Sequence, residues 1–412
     1  MNLFRMLRSN ADAQDLARAP VISAPSPEKT QERNTLAADV FGPVFVRGQG
    51  SWMWDAQGRV YLDFNQGGAT NSLGHSPAVL LQALNTQAQT LINPGLGQAH
   101  RSGLELARRL CLSTHSDQAW FFSSGTQACE GAIDLARKWG QINRGGACGI
   151  IIAGQACHGR SLGMRSTSTA QQVPFNDLAA LHAAVDAQTV AIMLEPIQSQ
   201  AGVIAATHDY LQGVEKLCRD LGILLILDEV QTGMGRCGSL LCEVTYGVRA
   251  DIVVLGQSLG GGVPLAALLA RGTACCSEGH ALEDAHGNAL MIAAGLTVLH
   301  SVQEPQFLRQ VRDAGEHMHE GLTRLALRYR LGEVRGQGLL WGLALGHDSA
   351  AQVVAAAQSE GLLIDAPQPD CLRFSPALTV SQANIEEMLQ RLARALGRVT
   401  TARLSASRGL MA

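Results

Sequence analysis

What most constrains this chain is a repeated alternation of short, unbroken apolar runs with stretches of helical periodicity. The runs lie at 119–122, 149–152, 190–194, 223–227, 251–255 and 265–270. They are apolar at consecutive positions rather than at every second one, the pattern of strands covered on both faces. Between two of them, Leu211, Val214, Leu217, Cys218 and Leu221 fall on one face of a helix predicted over 211–221. Strand, helix and strand repeated in this way predict a mainly parallel sheet wrapped by helices, an α/β fold. After about residue 300 the texture changes. Long amphipathic helices are predicted over 304–330 and 385–396, with strands at 339–345 and 371–374.

With 412 residues the chain has room for two such units. The organisation expected is an N-terminal arm over 1–38, polar and without period, followed by two interleaved domains. Residues 39–75 and 300–398 form a small α+β domain, and 76–299 form the large α/β domain. Residues 399–412 are expected to fray. Within 51–64, WMW, a DAQG turn and VYLDF read as a hairpin of the small domain.

The formal net charge of −3 offers no electrostatic footprint for nucleic acid or an anionic membrane. No apolar stretch reaches the 18 or so residues of a membrane span. The ten cysteines include no CxxC pair and no zinc-site spacing, so reduced thiols, no metal and a cytoplasmic location are expected. The basic residues divide unevenly. Only three are lysines, Lys29, Lys138 and Lys216, so chemistry that needs a lysine amine has three candidates.

Three short segments carry chemistry. Ser123-Ser124-Gly125-Thr126 follows a predicted strand and opens a helix. Free first-turn N–H groups and the positive helix end make such a turn a phosphate cradle, with the Ser124 and Thr126 hydroxyls as further donors. The same residues also read as an ordinary helix cap. Asp228-Glu229 directly follows the run at 223–227, where open α/β sheets place ligands, and a carboxylate there can pair with a ligand cation or cap a turn. His158-Gly159-Arg160 reads equally as an anion-binding turn or a capping loop.

Taken in order, the blocks FFSSGTQACEGAIDLARKW, CHGRSLG, MLEPIQSQAGV, LLILDEVQTGMGR, YGVRADIVVLGQSLGGGVP and LRFSPAL closely resemble the class III (subgroup II) aminotransferases, the acetylornithine/ornithine branch above all. The resemblance spans about 44–396. It implies a fold-type I pyridoxal-phosphate (PLP) enzyme, with a mostly parallel seven-stranded sheet in the large domain, a small domain from both chain ends, and a homodimer with shared sites. By position, Ser124, Gly125 and Thr126 would hold the cofactor phosphate, and Cys157 and His158 would border the ring. Asp228 would face the pyridine nitrogen and keep it protonated. Gln231 would bond the ring hydroxyl, while Arg160 and Arg373 would take substrate carboxylates.

The chain departs from that family at the same pocket. The family's catalytic lysine sits in a block of the form LAKGLGGG, and here Gln257 holds the lysine position in LGQSLGGG. A primary amide is neither nucleophile nor base, so it cannot attach the cofactor or shuttle protons. Cys157 stands where the family has a stacking aromatic residue, and Gln200 where it has the glutamate that pairs with the pocket arginine. Asp284 aligns with a partner-subunit threonine on the phosphate. A carboxylate about 5 Å from a phosphate costs roughly 3 kcal/mol per charge pair at an effective dielectric of about 20.

These departures leave a divided expectation. One reading is a homologue that binds PLP or pyridoxamine phosphate, or a related anionic ligand, non-covalently and acts on a small carboxylate or amino-acid-like substrate without lysine. The alternative is a non-catalytic pseudo-aminotransferase that serves as a binding or partner subunit, in a homodimer or in a heterodimer with an active paralogue. Ordinary lysine-based transamination is not expected in either.

Overall fold

The fold comes from a computed structural model that describes residues 42–95, 98–159, 170–275 and 287–409, with side chains as far as 401. The expected arm, Arg160 and Asp284 lie outside the described residues.

Seven strands build the large sheet: β1 (Gln118–Phe122), β2 (Gly149–Ala153), β3 (Ala170–Val173), β4 (Thr189–Leu194), β5 (Leu224–Asp228), β6 (Ile252–Leu255) and β7 (Ala266–Ala270). Their spatial order is β1-β7-β6-β5-β4-β2-β3. Strands β2 to β6 run parallel, in registers such as Leu224↔Ala191 and Ile226↔Ile252. Only β7 is antiparallel to its neighbours β6 and β1.

The unbroken apolar runs are explained by what lies above and below. Along β5, Leu224 and Ile226 enter one core while Leu225 and Leu227 enter the other, and β6 divides in the same way. Every residue of β4, β5, β6 and β7 is buried. One core is roofed by the helix Gly125–Asn143 through Ala128, Cys129, Ala132, Leu135 and Ala136. The other receives Leu211, Val214, Leu217 and Cys218 of the helix His208–Leu221. Thr207 caps that helix by accepting from the Tyr210 N–H, and Gly222 ends it at φ 61°.

The expected strands fall within a residue or so of the observed ones, and β3 is the omission. Its sequence AQQV is half exposed at the sheet edge, so no apolar run marked it.

A four-stranded sheet, in the order Phe45–Gln49, Trp52–Asp55, Val60–Asp63, Leu362–Leu363, draws on both ends of the chain. The hairpin is observed as Trp52–Asp55 paired antiparallel with Val60–Asp63. Val60–Asp63 then pairs in parallel with Leu362–Leu363, which joins residue 62 to residue 362. A second four-stranded sheet has the order Val334–Gln337, Leu340–Ala344, Cys371–Phe374, Asp365–Gln368.

Two helix boundaries differ from expectation. The helix predicted from residue 304 begins at Phe307, because Pro305 drives Glu304 to ψ 129° and separates it from the preceding helix Ala289–Gln303. The last helix runs Gln382–Gly409 rather than stopping at 396, so most of the tail expected to fray is helical backbone. No proline interrupts 397–409, and its Ala, Arg and Leu residues propagate a helix already nucleated by packing. Among the described residues no helix is long and apolar enough to cross a membrane.

Candidate active site

The parallel strands end on one side of the sheet, and their carboxyl ends surround a cavity of about 340 Å³. Gly125 and Thr126 enter it from the turn after β1, and Cys157, His158 and Gly159 from the loop after β2. Glu195 comes from the end of β4, Asp228 from the end of β5, and Gln257 from the turn after β6. Cys129, Gln200, Val230 and Gln231 complete the wall.

The floor is a hydrogen-bonded acid–imidazole group. Asp228 is buried, and its Oδ2 accepts from His158 Nδ1 at 2.8 Å and from the Cys129 thiol at 3.3 Å. Its Oδ1 accepts from the Val230 N–H at 3.0 Å. Donation from Nδ1 leaves His158 Nε2 as a buried atom without a partner among the described residues. Burial opposes the charged imidazole, yet the hydrogen bond and charge of Asp228, with Glu195 beyond it, raise the His158 pKa above its ordinary value. Burial likewise pushes Glu195 up to about 7; nearby His158 pulls it down, Asp228 pushes it up, and the Cys157 N–H at 3.0 Å pulls it down. The same burial raises the Cys129 thiol, so it stays protonated and donates.

Above this floor the backbone is shaped by what cannot fit. A Cβ on Gly125 would lie 2.8 Å from Val230 Cγ1, and one on Gly256 would lie 3.0 Å from the same atom. The turn at Gly125 therefore stays bare, and its first-turn N–H groups, which no helical carbonyl can take, open on the cavity. Ser124 is the cap of this helix, accepting from the Gln127 N–H at 3.2 Å. Gln257 adopts φ 32°, a conformation strained for any residue with a Cβ, and its Oε1 is buried without a partner among the described residues. The turn is pinned by the Ser72 hydroxyl donating to Ser258 O at 2.8 Å and by Ser258 Oγ donating to Ala69 O at 3.2 Å.

The structure thus brings Gly125, Thr126, Cys157, His158, Asp228, Gln231 and Gln257 into one cavity, with Ser124 capping its edge. Arg373 is not part of the lining. It donates to Ser199 Oγ at 2.8 Å and to Asp365. Lys138 pairs with Asp134 and Lys216 with Asp220, each four residues along its own helix, and neither lines the cavity. Glu195 is a site residue that the sequence reading missed. It follows the buried strand β4 just as Asp228 ends β5, so the signal that marked one carboxylate could have marked both.

The strand order, the cavity at the carboxyl ends and the central-strand carboxylate are the architecture of the fold-type I PLP enzymes. Likeness to solved structures agrees. N-acetylornithine aminotransferase of Stenotrophomonas maltophilia superposes with a TM-score of 0.82 at 31% identity, over 90% of this chain and 99% of that one. The ornithine aminotransferase of Toxoplasma gondii gives 0.84 at 25% identity, over 90% and 95%. Acetylornithine aminotransferase 2 of Bordetella pertussis is 44% identical over 367 residues, 85% of this chain and 93% of the relative. The family model for class-III aminotransferases matches residues 36–176 and 166–396. The chain belongs to the class III aminotransferases.

Members of that family use PLP, and the cavity can be tested for its fit. The bare turn at Gly125 provides a place for a phosphate, and Asp228 Oδ1 has accepting capacity beyond the Val230 N–H. Gln231 lies in the wall. These groups fit a pyridine ring bearing a phosphate.

Proposed function

We propose that this chain binds PLP or pyridoxamine phosphate without a covalent bond and acts on an amino-acid-like substrate by a lysine-independent route. The observation that carries the reading is Gln257, which lines the cavity with an amide oxygen buried without a partner among the described residues, while the cradle, the carboxylate and Gln231 are kept. When bound, the cofactor ring supplies an electron sink for charge developing on the substrate. Asp228 holds a proton at the ring nitrogen, and the first-turn N–H groups of Gly125 and Thr126 hold the phosphate. Gln257 accepts one hydrogen bond from a ligand N–H and orients it, and it takes up no proton. His158 Nε2, on an imidazole whose pKa is raised by Asp228, and Glu195, pushed up to about 7 by burial, are the groups able to hold or release a proton.

A second reading, a non-catalytic partner subunit, is favoured by the same missing amine together with the remoteness of Lys138 and Lys216. In both readings the chain acts in the cytoplasm as a homodimer, or as a heterodimer with an active paralogue. The test is the visible absorption of the protein with added PLP, before and after borohydride. Colour that dialyses away after reduction supports the first reading, and no binding supports the second. Colour fixed by reduction sinks both.

A further inference from the structure

Cys129 sits one turn into the helix Gly125–Asn143, 1% exposed, in the core that this helix roofs. Packing alone would be served there by any small apolar side chain. The thiol has a further contact. It reaches from the helix to the end of β5 and donates to Asp228 Oδ2 at 3.3 Å, and it lines the cavity together with Asp228 and His158. Burial, with the Asp228 carboxylate beside it, raises the Cys129 pKa and keeps the donor proton on the sulfur.

The accepting sites of Asp228 can be counted. An ionised carboxyl offers about two on each oxygen. Oδ2 receives His158 Nδ1 at 2.8 Å and the Cys129 thiol, and is filled. Oδ1 receives the Val230 N–H at 3.0 Å and keeps one site open. The three donors come from the helix after β1, the loop after β2 and the turn after β5, so separate parts of the chain hold the carboxyl in one orientation. Glu195, from the end of β4, and Cys157 are the other titratable groups that act on this cluster among the described residues.

We propose that Cys129 is a positioning residue for Asp228. With His158 it fills Oδ2, so that only Oδ1 is left to accept from a cationic N–H of the ligand. This deepens the reading of the cavity as a site for a protonated pyridine ring, and it rests on that reading.

The test uses the full chain. Cys129→Ala and Cys129→Val remove the donor, while Cys129→Ser keeps one. Alanine leaves space and valine fills it, so an effect common to both is not one of packing, and either serves if the other does not melt cooperatively. The first readout needs no ligand. It is the titration of His158, followed by mass-spectrometric deuterium exchange at its imidazole Cε1–H. Without the thiol, Oδ2 is shared with no second donor and holds the imidazolium more tightly. The titration is expected to rise by at least about half a pH unit in the alanine and valine variants, and by less than half of that in Cys129→Ser. The second readout is pyridoxamine phosphate affinity by absorbance, expected to fall at least about fivefold in the alanine and valine variants and to recover in Cys129→Ser. A smaller rise for His158, a rise of equal size in the serine variant, or an unchanged pyridoxamine phosphate affinity overturns the assignment. If the unaltered chain binds no pyridoxamine phosphate, the cofactor reading falls and the His158 titration alone decides Cys129.

Discussion

Replacing Glu195 by glutamine is expected to stabilise the protein in alkaline solution and to leave it unchanged in acid. The carboxyl is almost completely buried, and its pKa rises from 4.5 to about 7. A carboxyl raised on folding binds its proton more tightly in the native state than in the unfolded one. Its contribution is therefore fully present below pH 4.5 and is lost as the pH climbs through about 7. At about 1.4 kcal/mol per pH unit, the loss amounts to about 3 kcal/mol. Glutamine keeps an oxygen to accept from the Cys157 N–H and has nothing to ionise. The assay is urea unfolding of both proteins at pH 4.5 and pH 8. The expected result is coincident midpoints at the lower pH and a variant more stable by up to about 3 kcal/mol at the higher. A variant less stable at pH 8 would refute the reasoning, because it would mean that the His158 imidazolium holds Glu195 ionised and that this pair outweighs desolvation.

Three further outcomes are expected. Arg271→Met strands Glu243, which Arg271 contacts at 2.6 and 3.1 Å in a buried pair, and should cost about 3–5 kcal/mol in chemical denaturation. Gly125→Ala should weaken pyridoxamine phosphate binding at least about tenfold by forcing a Cβ against Val230, and Val230→Ala in the same chain should restore most of it, as read by absorbance titration. Gln257→Lys should leave transamination undetectable in a half-reaction followed by cofactor absorbance, since the resemblance puts Cys157 at the place of a stacking aromatic ring; vigorous turnover would show the pocket to be otherwise intact.

Much of the large sheet was legible because its strands are sandwiched between two cores, which forces consecutive apolar residues and leaves a mark in one dimension. The edge strand β3 exposes Gln171 and Gln172 in mid-strand and left no such mark. The site was legible where a residue type is diagnostic at a strand end, as with Asp228, or within a block of fixed spacing, as with Gln231 and Gln257. Arg373 was singled out by its block, yet it lies outside the described lining, and its partner Asp365 was not legible because it reaches Arg373 across a sheet pairing rather than along the chain.

The sequence by itself determined the chemical inventory: three lysines, an amide side chain at residue 257, and a strand–helix rhythm that commits the chain to an α/β sheet. Covalent composition is a property of the chain alone, so no folding can add an amine that is absent. Only the tertiary structure decided which groups act on one another. It put Lys138 and Lys216 on helix surfaces away from the cavity, set Glu195 beside His158, and gave Arg373 to Asp365. Charge interactions and desolvation depend on distance and burial through space, and those exist only once the strands have been laid side by side.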